Sequence, residues 1–187
     1  MTFVEAGVAE IDAGRALAAE LCSRALYENI ATICHFSDTL KPLFKTSDYA
    51  GIERVVTTAA FTTRIPSFLK AHGKDAKAPQ ILDHVDQMGA RYPQYREAYD
   101  HLSDIVPPNG LGAVVYFGKI SDGLISFADG GNEPDRARAS LIIAAILLAH
   151  VELVYFEIEA NLKKLNPIIS LKHLSQPLGP DGNAVID

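Results

Sequence analysis

The apolar positions of this chain fall into three blocks whose spacing predicts different elements. From about Val8 to Ser37 no proline interrupts, and Ala18, Leu21, Cys22, Ala25, Leu26, Ile33 and Phe36 gather on one side at about 100° per residue, the pattern of a long amphipathic helix. Asn29 falls inside that stripe, where an amide needs a partner; it is read as a register-fixing or binding residue. KPLFKTSD reads as a connection. Helical spacing returns over Tyr49 to Thr63 through Ile52, Val55, Val56, Ala59, Ala60 and Phe61, and Pro66 kinks or restarts the helix. Gly73 and HGKDAKAP make a polar loop. Pro79 and Pro93 suit the first turns of two short helices, near 79–89 and 93–105, and PPNG stops the second.

Between Gly110 and Gly131 the pattern changes. GAVVYFGKI and LISFA are rich in β-branched and aromatic residues and are separated by SDG, which predicts a β-hairpin near 112–129. Asn132, Glu133 and Pro134 then suit a helix start, and Asn166-Pro167 an end near Leu165. Within that last helix LIIAAILLAHVELVYF, residues 141–156, is about four residues short of the ~20 that span a bilayer and contains His150 and Glu152. It is read as buried in protein, with Ile143, Ile146, Leu147, His150 and Val154 in the core. The expected fold is mainly α: an antiparallel helical bundle with an inserted β-hairpin, one domain over 1–175 and a loosely ordered tail over 176–187.

Composition narrows the classes. A chain of 187 residues with 48% apolar content can bury a core of its own. A net charge of −6 argues against a wholly basic nucleic-acid platform, although Arg64, Lys70, Lys74 and Lys77 form a modest basic strip opposed only by Asp75. Cys22 and Cys34 have neither CxxC nor framework spacing, so no disulfide scaffold or Cys-rich zinc site is indicated. The N-terminus lacks a long apolar segment, and the expectation is a cytoplasmic protein without a membrane partner.

Candidate chemistry is concentrated in YPQYREAYDHLSDIVPPNGLG, residues 92–112. Arg96-x-x-x-x-His101 resembles the Arg-(four to six residues)-His signature of HEPN-type proteins, a broad superfamily of small helical bundles. The resemblance implies a symmetric dimer whose paired sites cleave RNA without metal, the histidine moving a proton and the guanidinium holding the phosphate. A second alignment of the same stretch, Tyr99-x-x-Leu102-Ser103-x-x-Val106 followed by Pro108, resembles uncharacterised bacterial helical proteins of HEPN-like appearance. There the arginine position is Asp100 and the histidine position is Pro107, which implies a scaffold without its nuclease pair. Five residues at about 100° each also place Arg96 and His101 roughly 140° apart on a regular helix.

His35-Phe36-Ser37-Asp38 and His101-Leu102-Ser103-Asp104 each offer a ligand pair at i, i+3, the metal-binding alternative. Against it, no histidine follows an acidic residue by three positions, as di-iron bundles require. His150, Asp104 and Asn29 remain candidate binding residues. Phosphate-loop, dinucleotide and serine-hydrolase motifs are absent. The leading reading is an interaction or regulatory protein on a HEPN-like scaffold, a homodimer with no cofactor and no metal. An RNase using Arg96 and His101 is the alternative, with RNA as its partner, and a metal-binding bundle is the third.

Overall fold

Gly14 divides what the apolar periodicity reads as one helix. Its φ of 72° lies in the left-handed region, and a Cβ there would meet nothing within 4 Å, so backbone conformation rather than space selects glycine. The amides of Gly14 and Arg15 close the preceding helix onto Ile11 and Glu10. The computed structural model describes residues 2–61, 66–72, 79–105, 117–127 and 134–175. Helix α1 (Thr2–Asp12) is followed by α2 (Ala16–Thr46), α3 (Tyr49–Phe61), α4 (Pro66–His72), α5 (Ile81–Arg91) and α6 (Pro93–Ile105). Strands β1 (Gly118–Ser121) and β2 (Leu124–Phe127) precede the last helix, α7 (Pro134–Ser175).

The molecule is mainly α, and α1, α2, α3, α5, α6 and α7 pack as a bundle around α2. Helix α2 touches each of the other five, so its buried face is broad and runs through Ala16, Ala19, Leu26, Tyr27, Ile30 and Leu40. This face is rotated from the expected stripe. Leu21 and Asn29 are exposed, and the Asn29 amide donates to the carbonyl of Ala25 on its own helix at 2.8 Å. Counting apolar residues misplaced the face because small and polar residues, Ala19, Glu20 and Ser23, occupy its first turns.

Two helices run through prolines read as boundaries. The first six residues of KPLFKTSD, Lys41 to Thr46, end α2 rather than form a connection: Pro42 lies inside the helix, while Leu40 packs with Ile52 and Ile158 in a second small core. Burial of this kind, roughly 1.5–3 kcal/mol for a full leucine, offsets much of the proline's cost of about 3 kcal/mol. The helix ends instead at Ser47, whose φ of 55° is left-handed, with the Ser47 and Asp48 amides bonded back to Phe44 and Leu43. Asp48 then caps α3 by accepting the Gly51 amide at 2.9 Å. Likewise α7 continues past Asn166-Pro167 to Ser175.

The two short helices fall at Ile81–Arg91 and Pro93–Ile105, close to their predicted ranges. The strands form an antiparallel ladder of four residues a side, from Gly118 opposite Phe127 to Ser121 opposite Leu124. Asp122 and Gly123, both at positive φ, link them. Residues 112–116 and 128–129 of the expected hairpin, Val114 and Tyr116 among them, and the 176–187 tail lie outside the described residues, as do Val106, Pro107 and Pro108.

The largest departure concerns α7. Ile143 and Ile146 were expected in the core and are 49% and 65% exposed; His150 is exposed too, and Leu147 and Val154 are half-buried. The residues facing inward are Ala137, Leu141, Ala144, Val151 and Ile158. An all-round apolar helix carries no amphipathic signal to say which side meets the bundle.

Candidate functional site

The candidate residues of the 92–112 stretch are close in sequence but are not brought into one site. Arg96 lies between α5 and α6, where its guanidinium pairs with Asp86 and, at 2.9 Å, with Asp100. A Cβ added to Gly89 would stand 2.7 Å from the Arg96 Cβ, so that glycine lets the two helices close over the arginine stem. An arginine holding two carboxylates presents little free positive charge to a phosphate. His101 is exposed on α6, as is Asp104. Tyr99 and Leu102 face the core as their spacing implies, and so does Ile105.

The His35–Asp38 pair is also turned to other work, while His101 and Asp104 stand exposed. Asp38 pairs with Arg91 at 2.6 Å, and His35 Nδ1 lies 2.6 Å from Gln87 Oε1. Among the described residues no group of three or more His, Cys, Asp or Glu side chains could hold a metal ion. What the fold does build is a stack of His35 on His84, ring centroids 4.3 Å apart and planes 15° apart. His84 is buried, its Nδ1 is 3.4 Å from Thr32 Oγ1, and its Nε2 has no hydrogen-bond partner among the described residues. Burial first, and the neighbouring His35 second, push the His84 pKa below its ordinary value of 6.5. The pair borders a cavity of about 330 Å³ between α2 and α3, lined also by Thr39, Arg54, Val55 and Thr58. The sequence offers no motif for this pair, whose members are 49 residues apart.

A larger cavity, about 430 Å³, lies where α2, α5, α6 and α7 meet. Tyr27, Ile30, Met88 and Tyr95 form its floor, and Ile143, Leu147 and His150 of α7 line it from the other side. It is apolar except for His150, Gln94 and the tyrosine hydroxyls. Its Tyr95 hydroxyl is committed to the carbonyl of Tyr27, and burial raises the phenol's pKa well above its usual value. Nearby, Tyr99 donates to Glu28 at 3.0 Å, and Glu28 also pairs with Arg24. This floor is therefore rigid and suited to apolar groups rather than to acid-base chemistry. His150, singled out by its place in the apolar run, belongs to the cavity; Asn29 and Asp104 do not line it.

Beside the cavity, α7 turns a second apolar face to solvent. Ile142, Ile146, Leu153 and Phe156 are between 58% and 66% exposed, and Ala139, Ala149 and Ala160 on the same side are exposed as well. At 100° per residue this face lies roughly opposite the inward one. By length and composition, residues 135–164 are long and apolar enough to cross a membrane, and only 17% of the apolar window is buried inside the bundle. No protein-family model, curated protein or solved structure matches this chain.

A further buried charged group escaped sequence reasoning. Glu20 is fully buried on α2, with its carboxylate 3.4 Å from the Arg136 guanidinium at the start of α7. The available signal was its position between Ala16, Ala19 and Ser23 on the buried stripe. The ion pair fixes where α7 begins its run along α2 and hence which of its faces is left outside.

Proposed function

We propose that this protein is an interaction protein of the HEPN-like kind, cytoplasmic and dimeric, working through the outward face of α7 and the adjoining apolar cavity rather than through a nuclease pair. The observation that carries this reading is the exposure of Ile142, Ile146, Leu153 and Phe156 on a helix that is already anchored by its opposite face. Contiguous apolar surface of this kind is the ordinary mark of an association site. The reading includes an inserted β-hairpin near 112–129, supported by the pairing of Gly118–Ser121 with Leu124–Phe127.

The nuclease reading receives no support from geometry, because Arg96 is neutralised by Asp86 and Asp100 and His101 is presented elsewhere on α6. Two experiments test the proposal. Oxidative footprinting of the full chain in living cells should find Leu153 and Phe156 protected relative to dilute purified protein; equal labelling would overturn the interaction reading. Incubation with mixed single-stranded RNA without metal should give no cleavage above background. Cutting by the wild type that both Arg96→Ala and His101→Ala abolish would instead establish the enzyme.

A further inference from the structure

The outward face of α7 has a period of its own. Ala139, Ile142, Ile146, Ala149, Leu153, Phe156 and Ala160 recur at alternating intervals of three and four residues, all apolar and all exposed. That is a heptad seam, the spacing that lets one helix lie along another with side chains interlocking. It runs for roughly 32 Å at 1.5 Å per residue. A lipid surface rewards apolar area without regard to a 3.5-residue period, whereas a partner helix requires it.

We infer that the occupant of this seam is a second copy of α7, running antiparallel about a two-fold axis between Ile146 and Ala149. This rests on the proposed function, whose working surface it fills. Three features select this partner and direction. First, sizes complement one another: the axis sets Ala139 against Phe156 of the second copy, Ile142 against Leu153, and Ile146 against Ala149, so no layer pairs two large aromatics or two alanines. A parallel pair would stack Phe156 on itself and leave Ala139, Ala149 and Ala160 facing their own copies across voids. Second, the flanking charges agree. The antiparallel register brings Arg138 beside Glu159 of the other chain at both ends, while the parallel one sets Glu152 beside Glu157 twice and has only Glu159 beside Lys164, at one end of the seam, to offset them. The antiparallel register shifted by one heptad would place Glu152 against its own copy at the axis. Third, the seam can be reached, because the inward face opposite it holds the bundle through Leu141, Ala144 and Val151. Ile143 and His150 flank the seam and line the 430 Å³ cavity, so the second copy would also roof that cavity.

The test uses the full chain. Sedimentation equilibrium should show a dimer, and Leu153→Glu should weaken association by at least about a hundredfold, since each dimer would bury two carboxylates, with an unchanged circular dichroism spectrum. Direction is read by cross-linking, with Cys22 and Cys34 replaced by alanine. A mixture of Arg138→Cys and Glu159→Cys chains should link with a short bismaleimide, and neither variant should link to itself. A dimer that survives Leu153→Glu, or one whose mixed chains fail to link, would overturn the inference. So would a monomer, including one that floats with mixed phosphatidylcholine–phosphatidylglycerol vesicles. If the purified chain is monomeric while Leu153 and Phe156 are protected in cells, self-pairing is wrong and the interaction reading stands with another partner; if they are unprotected in cells, the interaction reading itself fails.

Discussion

The two faces of α7 are almost equally apolar and differ in what meets them. Inward, Leu141, Ala144 and Val151 are nearly inaccessible against α1 and α2; outward, Ile142, Ile146 and Leu153 stand in solvent. Hydrophobicity alone cannot tell such faces apart. What distinguishes them is the company of the inward face: the Glu20–Arg136 pair at its start and the small residues Ala137 and Ala144 that let α2 approach. The inward face holds the fold, and the outward one is free to do something else.

The largest expected contrast is between leucines. Leu141→Ala should cost about 3 kcal/mol through lost burial and the cavity it leaves, whereas Leu153→Ala should change the dilute, unassociated chain by less than about 0.5 kcal/mol. Chemical denaturation of both variants at low concentration checks this, and equal losses would erase the distinction between the faces. Next in size is Arg136→Met, expected to cost about 2 kcal/mol because it takes the cation away from a buried carboxylate. Recovery of most of that loss in the double variant with Glu20→Met would show that the cost lies in the uncompensated charge.

A smaller effect comes from pH, at the packing of α5 on α2. The folded state holds His84 below its ordinary pKa of 6.5, so the unfolded chain takes up the proton first as acid is added. Stability from this group is therefore complete above about pH 6.5, declines as pH falls through that value, and levels off below the folded-state pKa. His84→Gln should flatten this part of the profile of denaturation midpoint against pH; an unaltered slope would assign it to other groups. Smallest of all is Arg96→Ala, expected within a few tenths of a kcal/mol of wild type in thermal melts, because its ion pairs are exposed.

Periodicity made the helical class legible, together with the short helices α5 and α6 and the inward side of α6. Tyr99 and Leu102 follow their spacing because that helix is polar on its other side. The buried face of α2 was not legible, since a helix touched by five neighbours buries alanine, serine and even glutamate. Nor could helix ends be read at Pro42 and Pro167, where tertiary packing outweighs the local preference against proline. Of the candidate residues, His150 was identifiable from its break in an apolar run, although its reading as a core residue was wrong. The His35–His84 stack and the Glu20–Arg136 pair depend on long-range contacts that no local pattern encodes.

Two alanines on α7, five residues apart, put the central claim to its most direct test. Ala144 is inaccessible in the inward face, and Ala149 is exposed in the outward seam. Urea unfolding of Ala144→Glu and Ala149→Glu at low protein concentration compares the same chemical change on the two faces. The account predicts that Ala149→Glu keeps the wild-type midpoint while Ala144→Glu loses the cooperative transition. Equal collapse of both variants, or a wild-type midpoint for Ala144→Glu, would contradict it.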